Sequence, residues 1–163
     1  KEGSILDNSF LKKLDEYDVV YSWGVLHHTG DMWKAIENSS RLVKENGKLF
    51  ISIYNDQGIK SKIWKLIKKL YCNYYLLRFF IIPVFFFCFL LPSFLKSFVL
   101  NKKQPRGMSM YYDMFDWLGG YPFEVASHSE IKNFLINRGF ILINQNLVGS
   151  KWGCNEFVFL KKV

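Results

Sequence analysis

The 163-residue chain carries 22 Lys and Arg against 14 Asp and Glu, for a formal net charge of +8; half of it is hydrophobic and 18% is aromatic. Such a composition excludes a disordered tail, and the length suffices for one sizeable core in one domain. Residues 57–112 hold ten Lys or Arg and no Asp or Glu, while the remainder holds 12 basic and 14 acidic residues. The basic character therefore belongs to one stretch and not to the fold as a whole. Cys72, Cys88 and Cys154 are odd in number and widely spaced. They read as reduced thiols of a cytoplasmic protein, with neither a disulfide framework nor a zinc-ligand spacing. The chain opens on Lys1 with no targeting peptide at its start and reads as a fragment or processed piece.

Residues 1–16 read as a connector in which 3–7 could end a strand, followed by one or two helical turns over 10–16. The run Tyr17-Asp-Val-Val-Tyr-Ser22 is rich in β-branched and aromatic residues and predicts a buried strand. It breaks at Gly24 into a polar turn with His27 and His28, where Thr29 or Asp31 can cap the next helix. That helix is expected over 31–45, with Met32, Ile36 and Val43 near one face and Asn46-Gly47 as its stop. A second buried strand is expected over 48–54. Strand, helix and strand with short connections form a βαβ unit, with parallel strands and a right-handed crossover.

A basic amphipathic helix is predicted over 58–73, with Ile59, Ile63, Leu66, Ile67 and Leu70 apolar and five lysines mostly opposite them. Residues 79–95 carry no charge but contain Pro83 and Pro92. At helical rise they span about 25 Å, short of a hydrocarbon core of about 30 Å. One membrane crossing would also put the last two strands on the wrong side of the bilayer from the first two. The stretch 58–105 therefore reads as a hydrophobic helical insert, acting as a lid or as a peripheral contact with an anionic membrane face. Nucleic acid ranks below membrane, because no nucleic-acid module is legible. Further helices are expected over 106–117 and 129–138, the latter capped by Ser127 or Ser129 and stopped by Gly139. Strands over 140–146 and 156–160 can close the chain as a hairpin.

Asp18-Val-Val followed by Val25-Leu-His-His28, then Lys44-Glu-Asn-Gly-Lys-Leu49 and a terminal strand pair, resembles the C-terminal half of a class I S-adenosylmethionine-dependent methyltransferase. Tyr54-Asn-Asp-Gln-Gly58, Arg106-Gly-Met-Ser109, Asp116-Trp-Leu-Gly-Gly-Tyr-Pro122 and Gly153-Cys-Asn-Glu-Phe157 resemble one bacterial subgroup of that family. The resemblance implies an α/β, Rossmann-like sheet, S-adenosylmethionine as cofactor, and a small-molecule or lipid-linked methyl acceptor. It places Ser4, Ile5, Ser22, Trp23, Gly24 and His27 against the cofactor, and Tyr54, Asn55, Arg106, Met108, Asp113 and Asp116 around the acceptor. His28 and Asp56 are the catalytic candidates, since a neutral His can take a proton from an acceptor hydroxyl or amine. No metal site is expected. The family's Gly-x-Gly loop does not occur in the sequence, so these residues supply one wall of a cofactor site. A piece holding one wall is expected to bind the cofactor weakly or not at all. The alternative is a non-catalytic, membrane-associated α/β module at the inner face of a membrane.

Overall fold

A computed structural model describes residues 1–92, 95 and 110–162. They form two compact units, Lys1–Ser61 with Pro122–Val163, and Lys62–Tyr121.

In the first unit Asp7 caps a short helix, α1 (Asn8–Leu11), by accepting from the Ser9 amide at 2.8 Å. The helix expected over 10–16 thus starts earlier, because Asp7 supplies the cap, and ends at Leu11. The strand β1 (Tyr17–Trp23) leads through a 3-10 turn at Leu26–His28 into α2 (Met32–Arg41), and β2 (Val43–Tyr54) runs parallel to β1. Asp31 is the cap of α2.

That helix does not reach residue 45. Val43 leaves it to pair with Tyr17 in the sheet, where it is fully buried, the environment a β-branched side chain favours. The next pair is Val19 with Lys48, so β1 advances two residues while β2 advances five. Asn46, with φ at 59°, makes its turn inside the strand as a bulge rather than at the helix end. Gly47 is packed into this bulge: a β-carbon there would sit 2.8 Å from the Lys44 carbonyl oxygen and 2.9 Å from a Val43 methyl group.

The sheet order is β1, β2, then β4 (Cys154–Lys161) and β3 (Phe140–Asn146), with β4 antiparallel to both neighbours. The expected hairpin is therefore present, with its second strand two residues longer at the start and one at the end. One face of the sheet carries Leu49, Ile51, Ile53, Phe157 and Phe159 against Met32, Ala35 and Ile36 of α2 and Ile131 and Leu135 of a helix at His128–Ile136. Each Leu, Ile, Phe or Met among them contributes roughly 1.5–3 kcal/mol on burial. Ser127, not Ser129, caps that last helix in a reciprocal capping box with Glu130. The opposite face is open along β1, where Val19 is 61% and Tyr21 66% exposed.

The second unit contains α3 (Ile59–Asn73, whose first turn belongs to the first unit), α4 (Tyr75–Phe85) and α5 (Met110–Gly119). α4 includes Pro83 and passes into a π-helical turn at Phe86–Leu90. No helix among the described residues is long and apolar enough to cross a membrane. The inward face of α3 differs from the expected one. Trp64, Lys68 and Tyr71 are buried, whereas Ile59, Ile63 and Leu66 point outward. The large aromatic rings decide the rotation: Trp64 stacks on Phe85 at 5.7 Å and meets Trp117 at 6.1 Å.

Lys68 is carried inward with them and donates to the Trp117 carbonyl at the last turn of α5, where a cation complements the helix dipole. Burial nevertheless pushes its amine from 10.5 down to about 8. At pH below about 8 both the folded and the unfolded chain hold this proton, and the burial cost is fully present. As pH rises toward 10.5 the folded chain releases the proton first, so stability rises through this window. Thermal melts across that range should show the rise, and Lys68→Met should flatten it. An identical rise in the variant would assign it to another group.

Candidate active site

The carboxyl ends of β1 and β2 lie side by side because the strands are parallel, with Trp23 opposite Ser52. In an open α/β sheet this edge is where ligands bind. Gly24 turns the chain with φ at +74°, and a β-carbon there would meet nothing within 4 Å. The backbone beside Trp23 and Val25 is thus bare. Ser52 is fully buried behind it, and its hydroxyl has no hydrogen-bond partner among the described residues.

The two histidines separate into different roles. His27 is fully buried, with its ring 4.1 Å from that of Tyr54. The Tyr54 amide donates to His27 Nδ1 at 3.4 Å, which puts the proton of a neutral ring on Nε2. His28 is half-buried, and its Nδ1 lies 2.7 Å from the Pro122 carbonyl. A carbonyl only accepts, so His28 donates from Nδ1 and its basic nitrogen is Nε2. Tyr54 packs among His27, His28 at 5.6 Å and Phe123 at 5.2 Å.

A strap at residues 122–126 holds these groups. The Glu124 amide donates to the His27 carbonyl at 3.0 Å, the Ala126 amide to the Tyr54 carbonyl at 3.1 Å, and the Asp56 amide to the Ala126 carbonyl at 3.2 Å. The Glu124 carboxylate also accepts from the Met32 amide at 3.0 Å, adding a second cap to α2. Nothing in the spacing of the strap marks this role in the sequence. Only Pro122 stood in a motif singled out there.

Asn55 is committed to structure on both sides of its amide. Its Nδ2 donates to the Gly149 carbonyl at 2.7 Å, and its Oδ1 accepts from Asn155 at 3.0 Å. Asn155 is itself buried and accepts from the Val148 amide at 3.1 Å. The pair ties the β3–β4 loop to the rim. Asp56 accepts from the Gly58 amide at 2.8 Å, an Asx turn that opens α3. Trp23 donates through Nε1 to Glu156 at 3.0 Å, and Asn146 reaches the other oxygen of that carboxylate at 3.3 Å.

Ser4 accepts from the Leu6 amide at 3.2 Å, and Ile5 packs on the core while its carbonyl accepts from Asn38 at 2.8 Å. Ser22 lies one residue from the end of β1, opposite Ile51. Asp113 and Asp116 belong to α5 in the second unit, with Asp116 exposed. Arg106 and Met108 lie outside the described residues. Among the described residues no group of His, Cys, Asp and Glu could hold a metal ion.

Residues 4–80 match the family described as "Methyltransferase domain". No curated protein matches the sequence significantly. Among solved structures, an O-methyltransferase family protein from Burkholderia thailandensis is similar at a TM-score of 0.55 and 12% identity, over 99% of this chain and 35% of that one. A protein from Galdieria sulphuraria assigned as a sarcosine dimethylglycine methyltransferase is similar at 0.53 and 12%, over 99% of this chain and 58% of that one. The chain thus spans about a third to somewhat over half of these relatives.

Replacing Asn155 with Ala strands the Val148 amide and the Asn55 side-chain oxygen Oδ1, and should cost about 1–3 kcal/mol. Urea denaturation checks this, and limited proteolysis should cut the 147–153 loop faster; an unchanged midpoint would contradict the tie. Residues 4–80 thus match a methyltransferase-domain family, and the chain's fold is that of Rossmann-like methyltransferases.

Proposed function

We propose that this domain serves methyl transfer from S-adenosylmethionine to a small-molecule acceptor at the carboxyl edge of β1 and β2. The bare, left-handed backbone at Gly24, with open space above it, carries the reading. The buried, unpartnered Ser52 hydroxyl beside it also suits a polar ligand. In this proposal Ser22, Trp23 and Gly24 form the cofactor wall, and Ser4 and Ile5 flank the adenine. His27 acts from behind, holding Tyr54 rather than exposing its own ring. When bound, the cofactor supplies an electrophilic methyl group on a sulfonium.

Displacement at such a methyl group is in-line, so the protein's main task is to align the acceptor. His28 is held by the Pro122 carbonyl in the tautomer whose Nε2 can accept a proton from an acceptor hydroxyl or amine. Tyr54 supports that ring edge-on. Asn55 and Asp56 act as positioning residues, given their turn and loop bonds. Arg106, Met108, Asp113 and Asp116 remain acceptor-side candidates through the motifs they occupy. A lipid-linked acceptor, with peripheral membrane contact through 58–105, is the finer form of the proposal; exposed Leu76, Phe79, Phe80, Val84 and Phe87 support it.

Labelled-methyl transfer by the full-length protein into fractionated cell extract tests the reading. His28→Ala should lower turnover by more than about tenfold. An unchanged rate in His28→Ala would remove the base role.

A further inference from the structure

The second unit contains a pocket of about 390 Å³ lined by Tyr71, Tyr75, Arg78, Phe79, Ile82, Pro83 and Phe115, within the size range of small-molecule sites. Six of these seven residues are apolar or aromatic, and Arg78 is the single cation. Its Nε donates to the Tyr71 carbonyl at 2.8 Å and its Nη2 to the Cys72 carbonyl at 3.2 Å, both in the last turn of α3. The guanidinium carbon lies 5.1 Å from the Tyr71 ring centroid and 5.7 Å from that of Tyr75. Carbonyls and rings thus hold the group in place.

They do not neutralise it. A guanidinium has five N–H donors, of which two are used here, and a helix C-terminus offers only about half an elementary charge. Among the carboxylates whose side chains the structure describes, a set that leaves out Asp113, none lies within ion-pair distance of Arg78. The sequence allows none nearby along the chain, since residues 57–112 contain no Asp or Glu. The nearest acidic side chain in sequence to the lining residue Phe115 is the exposed Asp116 of α5, and it forms no ion pair. A fixed, uncompensated cation at the edge of an apolar cleft calls for an anion. The apolar walls exclude a bare hydrated phosphate as the best fit, because it would leave them wet.

We propose that this pocket binds an anionic amphiphile, its acidic head on the Arg78 guanidinium and its apolar body along Phe79, Ile82, Pro83 and Phe115. The carboxylate or phosphate head can come from a free amphiphile or from a membrane lipid. The site does not depend on methyl transfer, which can fail without it; only the vesicle arm of its test also bears on the membrane contact proposed for 58–105.

Calorimetric titration with decanoate, decanol and decyltrimethylammonium, each below its micellar concentration, separates charge from chain. Decanoate should bind at least about tenfold more tightly than either of the others, the order expected for one charge-assisted contact. Arg78→Gln should erase the preference. Because Arg78 also holds α3, Ile82→Asp serves as the second variant; it should weaken decanoate by about tenfold or more at an unchanged melting temperature. Vesicles of phosphatidylglycerol in phosphatidylcholine distinguish the sources. Vesicle binding that decanoate competes away points to a membrane lipid, and decanoate binding without vesicle binding points to a free amphiphile. Equal affinity for all three amphiphiles, decanoate binding untouched by Ile82→Asp, or vesicle binding that decanoate does not compete would each overturn the proposal.

Discussion

The strap at residues 122–126 is the constraint on which the candidate site depends. Its backbone bonds to the His27 and Tyr54 carbonyls, and its Pro122 carbonyl fixes one nitrogen of His28. A strand end would otherwise fray there, since the backbone groups beyond the last ladder pair have no partner. The strap satisfies them and orients two rings in the same act. It also seats Glu124 at the start of α2, so the helix, the histidine turn and the end of β2 are coupled through one short segment. The preorganisation of any chemistry at this edge comes from that coupling.

The sheet beneath is conventional in its physics. A single apolar face, built from alternate residues of β2 and β4, is sealed by α2 and the helix at His128–Ile136. Polar residues at the rim are spent on each other: Asn55 with Asn155, and Trp23 with Glu156. These bonds join β1 and β2 to the last hairpin, elements far apart in sequence. An open position lies at the Gly24 turn, where a β-carbon would meet nothing within 4 Å.

Much of the sheet is legible in the sequence because β1, β2 and the hairpin are short runs of β-branched and aromatic residues bounded by turn residues. The order of motifs around Val25-Leu-His-His28 points to the family whose model matches residues 4–80. Val43 satisfies helical spacing as well as strand pairing, and only the partner Tyr17 decides between them. The facing of α3 is not legible from hydropathy, which ranks isoleucine above tryptophan and tyrosine. Ring packing in three dimensions reverses that order and takes Lys68 inward with the rings. The strap was invisible for a different reason. Its role lies in backbone hydrogen bonds to distant segments, which leave no trace in side-chain pattern.

The central claim is that a ligand meets this chain at the Gly24 turn between the ends of β1 and β2. Ultraviolet cross-linking of labelled S-adenosylmethionine to the full-length protein, followed by peptide mapping, tests it most directly. Within this chain, label is predicted on peptides containing Trp23 or Tyr54, displaced by excess unlabelled cofactor. Label confined to Lys62–Tyr121, or spread without displacement, would contradict it.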